Sequence, residues 1–402
     1  MSLQPATDTV RQGRIHDVDA VRGFALFGIF VVNITFMASA YPGNLVTDPS
    51  FTSHLDDAAR FIVAALFSMK FYLLFAFLFG YSFTLQMNAA RRAGRGFSAR
   101  MLRRVLGLFI LGAINIVALY SGDILTTYAI ACLLLLAMHR ISDSAALRVA
   151  GGLYGIVLLS LVVSALFIDR AAFMPSTAEA LDNAQEQTQA MLGSVSDIVA
   201  FHLDGLELLV LQAASLQGPS ALAMFLLGMV AGRRGLLSGI TGTEPALRRI
   251  QLIGYPVGLA GGIAYAAMGS DTNTAAVAVS LVTAPFLAAA YVATLLRILH
   301  SRRWSVAGPA LAPAGRMALT NYLGQSVIGL LLFTGIGLGL AGSVSPVWLL
   351  AISVVAFGAQ MALSHWWLSR HPYGPAEWAL RWLTNLERPA WTRQRRRGTE
   401  SR

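Results

Sequence analysis

A histidine beside carboxylates, His54 ahead of Asp56 and Asp57, has the makings of a general base, although a lone loop histidine is more often only solvated. Asp123, in SGDILTTYA, could orient such a base, or could simply cap the helix that follows by accepting from its orphan amides. Amides recur in pairs. Asn321 and Gln325 are four apart in GRMALTNYLGQS, which Arg316 opens, and Gln360 and Ser364 are four apart in the next apolar run. Residues four apart share a helix face. These amides either bond to each other across two helices or line a polar pocket where their N–H groups stabilise an oxyanion. Asp19 and Arg22 are three apart, within reach of an ion pair, and Asn33 falls on the same arc of about 60°. Lys70 sits inside ALFSMKFYLLFAFLFGYSF. At mid-membrane its ammonium would be functional. At the mouth of a span that begins at residue 71 it would snorkel to the interface.

These residues need elements to hold them, and composition names the elements. Of 402 residues, 56% are hydrophobic and 12% charged, with a mean hydropathy of +0.61. Soluble domains carry about 25% charged residues. Runs of about 18 apolar residues recur, long enough to cross a hydrocarbon core of about 30 Å. The ten-residue alternation of a β-barrel is missing. The expectation is an all-α polytopic membrane bundle with about ten spans, near 18–40, 61–88, 102–119, 122–138, 146–168, 217–234, 248–269, 274–298, 316–341 and 346–368.

The net charge of +10 follows topology rather than nucleic acid. Arg91, Arg92, Arg95, Arg100, Arg103 and Arg104 form one basic loop; Arg233, Arg234, Arg248 and Arg249 bracket a second; Arg297, Arg302 and Arg303 mark a third. Asp48, Asp56, Asp57, Glu179, Asp182, Glu186 and Asp197 populate the loops between. The positive-inside rule then puts both termini in the cytoplasm. Residues 195–216 carry Asp197, His202, Asp204 and Glu207 within about three turns, so they are expected as an external amphipathic helix rather than an eleventh span. Residues 1–388 read as one membrane domain, and 389–402 as a basic, disordered cytoplasmic tail. Glu377 and Arg381 are spaced to pair on a short interfacial helix anchored by Trp378 and Trp382.

Cys132 is the single cysteine, so no internal disulfide and no cysteine metal cluster can form. No cleavable leader precedes the first span. Phosphate-loop, dinucleotide-binding, zinc-protease and serine-hydrolase motifs are missing, so no permanently bound cofactor and no nucleotide-driven pumping are expected.

The stretches DAVRGFALFGIFVVN, KFYLLFAFLFGYSF, GDILTTYA, FLLGMVAGRRGLL, GRMALTNYLGQSVI and GPAEWALRWLT, in that order over roughly 14–388, resemble the YeiB-like family of bacterial inner-membrane proteins. The D-x-x-R-G…N pattern of the first span is also similar to that of the heparan-α-glucosaminide N-acetyltransferase group of transmembrane acyltransferases. That wider likeness implies transfer of an acyl group from cytoplasmic acyl-CoA to an acceptor outside. Asp19, Arg22, Lys70, Arg316 and the arginines of 91–104 would serve the donor, with Asn33, Asn321, Gln325 and Gln360 along the channel. His54 would be the base and Asp123 its support. This chain lacks the Trp and Gly that follow the loop histidine in the sugar-acetylating group. The rival expectations are a small-molecule carrier and a non-catalytic partner in envelope assembly. The bilayer is the one partner the sequence names; the acceptor and the oligomeric state stay open.

Overall fold

The computed structural model describes residues 6–92, 94, 96–168, 174–237, 244–301 and 307–393. Arg95, Arg302, Arg303 and the tail from residue 394 lie outside the described residues. Sixteen α-helices and no strand occur among the described residues. By length and composition, eight helices can cross a membrane, and two more, Leu125–Ala137 and Ala318–Phe333, are apolar but shorter.

The first helix, α1 (Ala6–Ala38), is followed by α2 (His54–Ile62), which runs into a π-helical turn, Val63–Phe67. The chain then breaks at Ser68 and Met69, the latter with φ 65°, and restarts as α3 (Lys70–Arg92). The break puts Lys70 at the mouth of its span, but the side chain does not snorkel. It is 0% exposed. Its Nζ donates to the Ala64 carbonyl at 3.1 Å and lies 5.5 Å over the Tyr265 ring. The π turn folds over the ammonium and supplies the carbonyl that water would have supplied.

Helix α4 (Phe97–Ala118) is followed by α5 (Leu125–Ala137) and α6 (Asp143–Phe167). At 1.5 Å per residue, the 13 residues of α5 cover about 20 Å, well short of a bilayer core. The α4–α5 connection makes up the difference by folding back beside α4. Asp123 Oδ2 lies 2.7 Å from where a Cβ on Gly112 would stand, almost two turns before α4 ends. A polar loop is therefore carried into the bundle.

Three short pieces follow: α7 (Thr177–Leu192), α8 (Val195–Asp204) and α9 (Leu206–Gln212), with a π turn, Ala213–Gln217, leading into α10 (Gly218–Arg234). The amphipathic segment at 195–216 is thus helical but broken at Gly205. Asp204 and Glu207 are exposed, while Ile198 and His202 are buried. Helix α7 lies in what reads as a polar loop. Its capping box, Ser176 with Glu179, and its inward positions Ala180, Ala184, Thr188 and Met191 are the signals that mark it.

Helix α11 (Glu244–Ala267), with Gly254 and Gly258 on its inner face, packs on α12 (Thr274–Leu299). Helix α13 (Ala307–Arg316) occupies a stretch between the spans expected at 274–298 and 316–341. It runs antiparallel along the start of α1, Leu311 against Gly23 and Gly315 against Asp19. The chain reverses at Met317 into α14 (Ala318–Phe333), then continues as α15 (Pro346–Arg370) and α16 (Pro375–Asn385).

Candidate functional site

The pair read from spacing is present: Arg22 donates to Asp19 at 2.6 Å. The same guanidinium reaches Ser82 Oγ on α3 at 2.8 Å and the Gly315 carbonyl on α13 at 3.4 Å. Arg22 therefore joins three helices, and its donors are largely engaged. Arg100 and Arg103 are engaged too, on Asn385 Oδ1 and the Thr384 carbonyl, where they dock α16 against α4. Arg316 is exposed and donates to the Pro372 carbonyl at 3.4 Å. Arg104 differs. Its Nε is buried with no hydrogen-bond partner. Cys132, Arg22, Glu377 and Arg381 are the titratable groups close enough to act on it.

Glu377 does not pair with Arg381. It turns to the N-terminus of α14, where Oε1 accepts from the Leu319 and Thr320 amides at 2.7 and 3.1 Å, and Oε2 accepts from Thr320 Oγ1. Orphan amides at a helix start outbid a solvated cation one turn away. Desolvation holds this carboxyl above its ordinary range, with the Thr320 bonds working against the rise. A carboxyl raised in the fold binds a proton more tightly folded than unfolded. Its contribution is therefore full below the unfolded value and is lost as pH rises through the folded one. Glu377→Gln, which keeps an acceptor oxygen but cannot ionise, is expected to gain in unfolding temperature relative to the wild type as pH rises from about 4.5. Parallel unfolding curves across that range would contradict this.

Asp123 is 1% exposed. Its oxygens accept from Asn115 Nδ2 on α4 at 3.1 Å, from the Thr126 amide at the start of α5 at 2.8 Å, and from the Tyr322 hydroxyl on α14 at 3.3 Å. Tyr322 Oη in turn accepts from the Ile124 amide. Capping is thus one of its jobs, and joining α4 to α14 is the other. A carboxylate only accepts, so Asn115 must present Nδ2 to it. That leaves Asn115 Oδ1 buried with no donor.

The amide pairs of α14 and α15 bond to each other. Asn321 Nδ2 donates to the Ala314 carbonyl and to Ser364 Oγ. Gln360 Nε2 donates to the Asn321 carbonyl, and Gln325 Nε2 donates to Gln360 Oε1 at 3.1 Å. Several of their N–H groups are spent on cross-helix contacts, and the unmatched atom is an acceptor, Gln325 Oε1. Asn33 is half-buried, and among the described residues no hydrogen bond reaches its side chain. His54 is exposed on the first turn of α2, and no hydrogen bond joins it to Asp123 among the described residues.

Where the C-terminal ends of α1, α4 and α14 meet α7 and α8 lies a cavity of about 20 Å³. Met37, Tyr120, Ser121, Met191, His202 and Thr334 form part of its wall. Sequence reasoning missed Asn115, Tyr322 and the unbonded Nε of Arg104, because each depends on what other helices bring to it. Among the described residues no group of three or more His, Cys, Asp or Glu could hold a metal.

Residues 231–387 match the model of a family described as a protein of unknown function, DUF418. YxaH of Bacillus subtilis, an uncharacterized protein, is 30% identical over 411 residues, which covers 96% of this chain and 97% of YxaH. The chain belongs to the DUF418 family. YeiB of Escherichia coli K12, also uncharacterized, is 27% identical and covers 91% of the chain and 95% of its own length. The YeiB-like likeness read from the sequence therefore stands. An uncharacterized 39.9 kDa protein from Bacillus acidopullulyticus is 27% identical over 92% of the chain and 94% of its own. In this DUF418 protein the matched stretch holds Tyr322, Gln325 and Glu377, whereas Arg22, Arg104 and Asp123 precede it.

Proposed function

We propose that this DUF418 protein is a membrane-embedded acyltransferase. It takes an acyl group from cytoplasmic acyl-CoA and passes it to a hydroxyl- or amine-bearing acceptor outside the bacterial inner membrane. In this reading α1, α3, α4, α5, α6, α10, α11, α12, α14 and α15 are ten crossings, and both termini are cytoplasmic.

The observation that carries the reading is the set of unmatched polar atoms along α4 and α14. Arg104 and Asn115 are eleven residues apart, about three turns and 16 Å, so they share one face of α4. Arg104 offers a buried N–H with no acceptor, and Asn115 Oδ1 and Gln325 Oε1 are buried acceptors with no donor. Buried polar atoms are normally matched, and a missing ligand is one reason they are not. A phosphate suits the guanidinium. The amide N–H groups of a pantetheine arm suit the two carbonyl oxygens. The arm would rise along this face and bring its thioester toward Asp123 and the outer cavity. Asp123 acts there as a positioning group, holding Asn115 and Tyr322 in place.

The same column would serve a carrier, and one experiment separates the two. Proteoliposomes receive labelled acetyl-CoA on the cytoplasmic face and an amino sugar on the other. Acyl transfer leaves CoA on the donor side and puts label on the amino sugar. Intact acetyl-CoA arriving across the membrane with no cleavage would sink the transferase reading.

A further inference from the structure

We infer that His202 is the base that takes the proton from the acyl acceptor, an inference that rests on the transfer reading above. His202 is 4% exposed and stands in the wall of the outer cavity beside Tyr120, Ser121 and Thr334. Its Nδ1 lies 3.2 Å from the carbonyl oxygen of Val117. A carbonyl only accepts, so Nδ1 carries the hydrogen, and the neutral ring keeps a bare lone pair on Nε2. Among the described residues nothing hydrogen-bonds to Nε2. Val117 belongs to the last turn of α4, and among the described residues no backbone amide reaches its carbonyl. One helix end thus fixes the tautomer and leaves Nε2 without a partner on a side chain that lines the cavity. His54 has no such arrangement.

The step balances without another reactant. The acceptor gives its O–H or N–H proton to Nε2 as its oxygen or nitrogen bonds to the thioester carbonyl carbon. The C–S bond breaks, its electrons go to sulfur, and the imidazolium returns the proton to the CoA thiolate. The products are the acylated acceptor and CoA thiol. A cavity of about 20 Å³ holds one water, so water itself is a usable acceptor in this state.

The bland alternative is that His202 only ties α8 to α4. Asparagine separates the two roles, because its amide N–H stands close to where Nδ1–H stood but it has no counterpart of Nε2. Full-length wild type and His202→Asn are compared in detergent with acetyl-CoA and water as acceptor. The readouts are the unfolding temperature with and without acetyl-CoA, and thiol release as a function of pH. The expected result is that His202→Asn keeps the unfolding temperature and the acetyl-CoA shift, while thiol release falls at least about 100-fold. Thiol release at the wild-type rate overturns the assignment. Should the wild type show neither a shift nor thiol release, the transfer reading itself has failed. The 15N spectrum of histidine-labelled protein, with His202→Asn identifying the resonance, judges the tautomer independently. A bare Nε2 supports the inference and a protonated Nε2 overturns it.

Discussion

Asp123→Ala is expected to lower the stability of the detergent-solubilised protein by about 3–5 kcal/mol and to remove acyl transfer. The stability figure follows from what is left behind. Asn115 Nδ2, the Thr126 amide and the Tyr322 hydroxyl all turn toward one buried carboxylate. Each buried donor left without an acceptor costs about 1–3 kcal/mol. The loss of transfer follows from position: α4, α5 and α14 meet at this side chain, and the orientation of Asn115 Oδ1 depends on it. Asp123→Asn should fall between, since one oxygen remains but an amide now faces a donor. Thermal unfolding and thioester cleavage, measured on both variants, check the two parts separately. An alanine variant as stable as the wild type would mean that water reaches the loop and replaces the carboxylate.

Gly228→Leu should be worse still, and far from the site. A Cβ at Gly228 would stand 2.0 Å from the Phe77 carbonyl oxygen and 2.8 Å from the Tyr81 amide. Gly80, on α3, meets the Phe225 carbonyl oxygen in the same way, at 2.0 Å. These are backbone atoms, which cannot rotate aside. Helices α3 and α10 would have to part along the whole seam, which Gly232 extends against Thr84. Close backbone approach through small residues four apart is how membrane helices gain packing where lipid offers no hydrophobic drive. Losses above about 4 kcal/mol come from overpacking of this kind. The variant is expected to be missing from the folded peak in size-exclusion chromatography, while Gly151→Leu, where a Cβ meets nothing within 4 Å, should elute with the wild type.

Much of the fold was legible because a bilayer imposes a length. The spans expected at 146–168 and 274–298 are the helices Asp143–Phe167 and Thr274–Leu299. The Asp19–Arg22 pair was legible because both partners sit on one turn. The site was less so. His202 finds Val117 across 85 residues, and Tyr322 finds Asp123 across 199. No local pattern encodes such pairings. Glu377 was misassigned for a related reason. Its helix spacing suited Arg381, but the unmatched amides of α14, hidden in the sequence by the unforeseen turn at Met317, are the stronger partner. Spacing leaves Lys70 open between a mid-membrane and a snorkelling place, because no periodicity reveals that the preceding π turn folds over it. The amides of α14 and α15 were found correctly by spacing, yet spacing alone left open whether they face each other or a channel.

The central claim is that the unmatched atoms along α4 receive an acyl-CoA, and thermal unfolding of purified protein with acetyl-CoA tests it most directly. At about 100 times its dissociation constant, a ligand that binds only the folded state stabilises it by about 2.7 kcal/mol. The wild type and Arg148→Gln, altered at an exposed arginine of α6, are expected to gain that increment. Arg104→Gln is expected to fold at least as well without ligand, since it removes a guanidinium whose Nε is buried with no hydrogen-bond partner, and to gain nothing from acetyl-CoA. A wild type that acetyl-CoA does not stabilise, or an Arg104→Gln variant stabilised to the full extent, would contradict the account.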